Sequence, residues 1–170
     1  SAIGMFYDLE DPLEFIKHAS DALDDDGIFV AQLMCSHSMF KTNDLGNICH
    51  EHLEYYSYNS LKYLFEKNGL KIFKMSENKT NGGSYRIYCK KNIKKSIKYK
   101  EQAGYREIIK FIKRVEQNKK NTLKFIKENI KLGKKIFLYG ASTKGNTLLQ
   151  YYGLTNKEIP FASERTQVKW

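Results

Sequence analysis

The run Ile28–Leu33, "IFVAQL", most narrows what this 170-residue chain can fold into. It is apolar except for Gln32 and shows no alternation of faces, the pattern of a strand covered on both sides. Such a strand needs helices above and below its sheet, so the chain has to supply them. Asp11-Pro12-Leu13-Glu14 reads as one helix start, with Asp11 as cap, Pro12 in the first turn and Glu14 able to reach back as in a capping box. Leu13, Ile16, Ala19 and Leu23 give that helix an apolar face, and Asp24-Asp25-Asp26-Gly27 ends it. The apolar run Ile3–Leu9 before it reads as the end of another buried strand.

Residues 35–58 have no clean period. Ser60–Asn68 predicts a short helix with Leu61, Leu64 and Phe65 inward, closed by Gly69 with Leu70 as its hydrophobic contact. Leu70–Met75 and Ser84–Lys90 read as strands joined through Asn81-Gly82-Gly83, hence an antiparallel pair. A lysine-rich stretch, Lys90–Lys100, follows. Tyr105, Ile108, Ile109, Ile112, Val115, Leu123, Ile126 and Ile130 then mark one long helix or two consecutive ones, stopped at Gly133. Lys135–Tyr139 reads as a strand, Gly140–Gly145 as a loop, Asn146–Tyr152 as a helix and Ile159–Ser163 as a further strand. The class is α/β. The first part reads as the second half of a doubly wound sheet with an antiparallel final strand, and the last part as the opening unit of another α/β domain. No internal repeat is present.

Hydrophobic residues at 41% and aromatics at 14% are enough for a packed core and argue against disorder. No apolar run approaches the roughly 20 residues of a membrane span, so no membrane partner is expected. Cys35, Cys49 and Cys89 are odd in number and lack paired spacing, which reads as reduced thiols in a cytoplasmic protein. The net charge of +10 is mostly lysine, much of it along one helical segment. That is the mark of a solvated face more than of a nucleic-acid partner, and it also favours a phosphorylated substrate. The abrupt start at Ser1-Ala-Ile-Gly-Met-Phe and the untapered end at Val168-Lys169-Trp170 suggest a piece of a longer protein.

"NICHEHLEYYSYNSL", residues 47–61, packs two histidines, a cysteine, two glutamates and three tyrosines into fifteen positions. As a metal site it falls short. Zinc needs three or four ligands, and beyond Cys49, His50 and His52 the candidates Asp8, His37 and Cys89 are scattered. The helical His-x-x-x-His spacing is absent. No metal is expected in this chain. Acid/base chemistry uses what is present: histidine titrates near neutral pH, a neighbouring carboxylate can hold its tautomer, and Tyr55 and Tyr56 can donate to a developing oxyanion. The other reading, equally open on composition, is a polar stretch that covers the edge of a core.

"KKIFLYGASTKGNTLLQYY", residues 134–152, runs from a strand through Gly140-Ala-Ser-Thr-Lys-Gly145 into a helix. Small residues let backbone N–H groups face a ligand, and a helix start favours an anion. Ser142 and Thr143 add hydroxyls and Lys144 a charge. The spacing is neither that of the phosphate-binding loop of nucleotide hydrolases nor the full dinucleotide fingerprint. A phosphate or diphosphate ligand and a tight strand-to-helix turn both fit it.

Three stretches together resemble one family: "IGMFYDLEDPLEFI", "NICHEHLEYYS" followed by "NGGSYRIY", and "YGASTKGNTLLQYYGL". Their order and spacing are similar to those of the S-adenosylmethionine-dependent C-methyltransferases that act on nucleotide-linked deoxysugars. The resemblance implies a small N-terminal zinc-binding domain, a Rossmann-type methyltransferase domain and a C-terminal α/β domain that completes the sugar-nucleotide cleft. Residues 1–92 would then be the second half of the methyltransferase domain, residues 93–133 a helical connector, and residues 134–170 the start of the C-terminal domain. The zinc cysteines and the main loop that grips S-adenosylmethionine would lie upstream.

The resemblance also implies a reaction. A base removes a proton from carbon beside a ketone, and the resulting enolate attacks the sulfonium methyl group. His52 is the expected base and Glu51 its orienting or proton-sharing partner, with His50 shaping the site; Cys49 stands where some relatives have tyrosine. Tyr7 and Asp8 close the first strand, whose carboxyl end faces the cleft. Tyr56, Asn81, Ser84 and Arg86 are expected at the substrate, and Ser142, Thr143 and Lys144 at the nucleotide-sugar end. The competing expectation is a non-catalytic nucleotide-sugar-binding α/β protein that keeps Gly140–Gly145 without the chemistry.

Overall fold

A computed structural model describes residues 1–101 and 103–165. The untapered end at Val168–Trp170 and the last five residues of the expected C-terminal domain lie outside the described residues. Within them the chain divides into two compact units: Ser1–Thr42 with His50–Ile108, and Asn43–Cys49 with the residues from Ile109 on.

The first unit is a four-stranded sheet in the order β1-β2-β4-β3, where β1 is Ala2–Ile3, β2 Phe29–Met34, β3 Lys71–Asn78 and β4 Ser84–Lys90. β1 runs parallel to β2, with Ala2 opposite Ala31. β2 and β4 are antiparallel, with Phe29 opposite Cys89 and Met34 opposite Ser84. β3 and β4 form the expected antiparallel hairpin, with an irregularity between Ile72 and Lys74. β2 is buried along almost its whole length, as its unbroken apolar run requires. Gln32 is the polar exception, and it is buried too.

Three helices serve this sheet: α1 Pro12–Asp21, α2 Ser36–Thr42 and α3 Tyr58–Lys67. The Asp11 carboxylate accepts from the Glu14 N–H at 2.9 Å and starts α1, with Pro12 next. Ile16 of α1 is fully buried, while Leu13 is an exposed exception to the expected face. α3 begins at Tyr58, earlier than the apolar pattern predicts, because Ser57 and Ser60 cap it reciprocally through side chain and backbone N–H. Phe6, Ile16, Leu61, Phe65, Leu70 and Ile72 meet in the core against the sheet. Phe6 stacks on Phe65 at 5.8 Å between ring centres. Burying a side chain of this size stabilises the fold by about 1.5–3 kcal/mol.

The connector does not open as a helix. Residues 93–101 lie along β3 instead: the Ile97 N–H donates to the Ile72 carbonyl at 2.8 Å, and the Ile72 N–H donates to the Ser96 hydroxyl at 3.0 Å. The Glu101 carboxylate then accepts from the Tyr58 N–H (2.7 Å) and the Tyr85 hydroxyl (3.2 Å). The helix begins only at Tyr105 and runs unbroken to Lys131 as α4, one helix rather than two. Gly133 at φ 70° ends it.

In the second unit, β5 (Phe137–Tyr139) pairs parallel with β6 (Phe161–Ser163), and α5 spans Thr143–Tyr152. Phe137 and Phe161 stack across the pair at 5.6 Å. The C-terminal part of α4 is tied to α5 where the Lys119 ammonium donates to the Tyr151 carbonyl at 2.7 Å and lies over its ring. α5 starts three residues before the expected Asn146 because the Ser142 hydroxyl accepts from the Gly145 N–H.

Candidate functional site

The first unit gathers its chemistry where β1 and β2 end. Gly4, at φ 68°, turns the chain out of β1 while its N–H donates to the Gln32 carbonyl at 2.8 Å. Tyr7 and Asp8 therefore do not close a strand as the apolar run Ile3–Leu9 suggests. They sit on the one-turn 3₁₀ helix Phe6–Asp8, just beyond the strand end. The Tyr7 hydroxyl donates to the Gly4 carbonyl at 3.1 Å, which locks this turn.

The Tyr7 carbonyl holds the histidine segment. It accepts from the N–H groups of Leu53 (2.9 Å) and Glu54 (3.1 Å). Further along, the Ser36 N–H donates to the Tyr56 carbonyl at 3.0 Å, and the Ser36 hydroxyl reaches the Tyr55 and Tyr56 carbonyls. Residues 53–56 are thus stitched to both strand ends. His50 and Glu51 are exposed on a turn and His52 is half-buried. The His52 ring meets the Tyr7 ring edge-to-face at 4.7 Å.

Asp8 shares this place. Its carboxyl is raised above the usual range by lost solvation; the His52 side chain opposes the rise and Glu51 adds to it. The Asp8 carboxyl thus lies within electrostatic reach of the His52 imidazole and the Glu51 carboxylate. Among the described residues no three His, Cys, Asp or Glu groups gather as a metal-holding set.

The remaining expected residues fall into distinct roles. Tyr56 is a core residue, 3% exposed, its ring 5.3 Å from Phe6. Its hydroxyl has no hydrogen-bond partner among the described residues, and burial pushes the phenol well up. It supports the loop from beneath rather than facing a cleft. Ser84 is also buried, and its hydroxyl donates to the Thr80 carbonyl at 2.9 Å, fastening the hairpin. Asn81 is exposed on the 3₁₀ turn Thr80–Gly82 at φ 52°. Arg86 is exposed but forked onto Gln32 of the neighbouring strand, its Nε and Nη2 at 2.8 and 2.6 Å from Oε1. The single polar break in the β2 run was therefore a legible sign of this pair.

In the second unit the glycine loop's polar groups are engaged. Ser142 caps α5, and the Ala141 N–H donates to the Glu164 carboxylate at 2.7 Å. Thr143 opens the helix, and its carbonyl accepts from Thr147. The Lys144 ammonium lies 3.6 Å from the Asp44 carboxylate, which also accepts from Asn47 at 2.7 Å. Gly46 packs so closely on Lys144 that a Cβ there would lie 2.9 Å from the lysine Cβ. The stretch Asn43–Cys49, just before the histidines, thus packs in the second unit.

α2, with Ser38 and Lys41, has no counterpart in the sequence pattern. Seven residues inside an aperiodic stretch give no helical signal by pattern. A hollow of about 500 Å³ opens beside α2, lined by Ser38, Lys41, Thr42, Lys79 and the hairpin glycines among others.

A parallel strand pair extended by an antiparallel last hairpin, with helices packed on it, makes the first unit a mixed α/β domain. Residues 1–74 match the methyltransferase domain model, and residues 79–170 match the model of the C-methyltransferase C-terminal domain. The chain belongs to the C-methyltransferase family. It is also 29% identical to the C-methyltransferase NovU of Streptomyces niveus, over 96% of this chain. It spans 42% of the length of that relative. Among the described residues no helix is long and apolar enough to cross a membrane.

Proposed function

We propose that this chain is part of an S-adenosylmethionine-dependent C-methyltransferase whose substrate is a keto-deoxysugar linked to a nucleotide. The observation that carries the reading is the place of His52: a half-buried imidazole, edge-on to Tyr7 and beside the Asp8 and Glu51 carboxylates, where the strands of the sheet end. The family supports the methyl transfer, and the resemblance of the motifs supports the sugar.

In this reading His52 takes the proton from the carbon beside the ketone and leaves an enolate on the substrate. The carboxylates of Glu51 and Asp8 stabilise the imidazolium so formed, and Tyr7 holds the ring's orientation. When bound, S-adenosylmethionine supplies an electrophilic sulfonium methyl group. Asp8, an exposed carboxylate at the strand end, fits a hydroxyl or amino donor of that cofactor. His50 and Asn81 face the substrate from exposed turns, and Arg86 does so while forked on Gln32. Within the second unit, Ser142, Thr143 and Lys144 are the residues that the motif's resemblance gives to the nucleotide, with Lys144 paired to Asp44.

The test is His52→Asn in the protein that carries this chain. A general base is worth about 10²–10⁴ in rate, so methyl transfer should fall at least about 100-fold with substrate binding retained. A variant that keeps a rate within about threefold of the parent would remove His52 from the role.

A further inference from the structure

We infer that the hollow between α2 and the β3–β4 hairpin is a seat for a phosphate or diphosphate group. It measures about 500 Å³, within the usual size of small-molecule sites. It lies wholly in the first unit, at the sheet end where β2 stops and β4 starts, because Met34 pairs with Ser84. Ligands of α/β sheets collect at that end.

Two lysines line it: Lys41 from the last turn of α2, and Lys79 from the residue before the 3₁₀ turn Thr80–Gly82. Among the described residues neither has an ion-pair or hydrogen-bond partner for its side chain. Glu77 also lines the hollow, but its carboxylate accepts from the Tyr99 hydroxyl. Two lysines against one engaged carboxylate leave a positive seat, and a doubly charged anion answers it.

The walls are braced before any ligand arrives. Gly83, at φ 129°, lies so close to α2 that a Cβ there would sit 2.2 Å from the Ser38 Cβ. The Thr42 hydroxyl spans the same approach, 2.9 Å from the Ser38 carbonyl and 3.3 Å from the Gly82 carbonyl. The Gly140–Gly145 loop offers the opposite case. There the Ala141 N–H is taken by Glu164, the Gly145 N–H by Ser142 and the lysine by Asp44. Of these two places, the hollow is the one whose lysines are unpaired among the described residues.

The seat deepens the proposed function by naming where the diphosphate of a nucleotide-linked sugar is held. It rests on that reading only for the source of the phosphate. The experiment is calorimetric titration of inorganic pyrophosphate into the protein that carries this chain. Parent, Lys41→Gln, Lys79→Gln and the double variant are compared, with Lys98→Gln/Lys100→Gln as a control for general basic charge and a melting curve for each. Charge-assisted contacts of this kind predict saturable binding, weakened about threefold or more by each single change and about tenfold or more by the double one. The control should stay within about twofold. No saturable binding, or a double variant within about twofold of the parent, would overturn the seat. Uridine diphosphate glucose is then titrated against bound pyrophosphate. Competition assigns the seat to the substrate's diphosphate, and its absence overturns that assignment in favour of a free phosphate ligand. His52→Asn should leave pyrophosphate binding unchanged, so a failed base and a failed seat give different results.

Discussion

Gly83 and Gly69 both hold positive φ, 129° and 73°, but only one of them is crowded. Around Gly69 a Cβ would meet nothing within 4 Å, so Gly69→Ala should cost only the left-handed backbone term, about 1–2 kcal/mol. At Gly83 a Cβ would collide with Ser38, and the backbone lies where glycine alone is comfortable. Gly83→Ala should therefore cost about 3 kcal/mol or more, and urea unfolding of the two variants should separate them clearly; equal losses would mean that the hairpin can lift from α2 freely. Gly69 was legible as a helix stop because its signal is local. Gly83 was legible only as a turn, since its close neighbour is 45 residues away and no sequence spacing carries that contact. His52 shows the same division. Its chemistry stands in the string His-Glu-His, whereas its packing on Tyr7 depends on where the loop is tied.

Only α1 had its start read from its cap, at Asp11, and that start matches. Asp11, Ser57 and Ser142 each start a helix through their own side chains. Periodicity alone set α3 and α5 too late because it follows apolar residues, whereas the first turn is decided by the cap. α2 escaped because seven residues in a polar stretch show no period. The segment 93–101 escaped because its lysines hide an added edge along β3, anchored by Glu101. That carboxyl is raised above the usual glutamate range chiefly by burial, with Glu77 adding; the Tyr58 N–H, the Tyr85 hydroxyl and His37 oppose. A raised folded-state pKa means that the folded chain holds the proton more tightly than the unfolded one. The stabilisation is complete below the unfolded value, about 4.3, and is lost as pH rises through the raised value. The parent should thus lose stability relative to Glu101→Gln as pH climbs from about 4, then run level. Urea midpoints between pH 3.5 and 7.5 (about the range that brackets a raised carboxyl) check this, and a gap that moves in the opposite direction would contradict it.

Across the whole molecule, stability is uneven between the two units. β2 and β4 are paired along six positions in a buried sheet. β5 and β6 have three residues each and leave Phe137, Tyr139 and Phe161 60%, 94% and 56% exposed. A two-stranded sheet of that size is marginal alone, so amides of β5 and β6 should exchange with solvent faster than those of β2 and β4 by a factor of roughly 100 or more. Uniform protection would show that the second unit is as firmly held as the first. The α/β order was readable at this scale because unbroken apolar runs and glycine stops alternate along the chain. The division into units was not, since Asn43–Cys49 joins the second unit through Asp44 and Gly46, contacts about 100 residues apart in sequence. The claim on which the functional account turns is proton removal by His52, and it can be measured without following methyl transfer. A nucleoside diphosphate keto-deoxysugar is placed in deuterium oxide with the protein that carries this chain, and deuterium entry at the carbon beside the ketone is followed by NMR. The account predicts entry catalysed by the parent and slowed at least about 100-fold by His52→Asn; entry at an undiminished rate in that variant would contradict it.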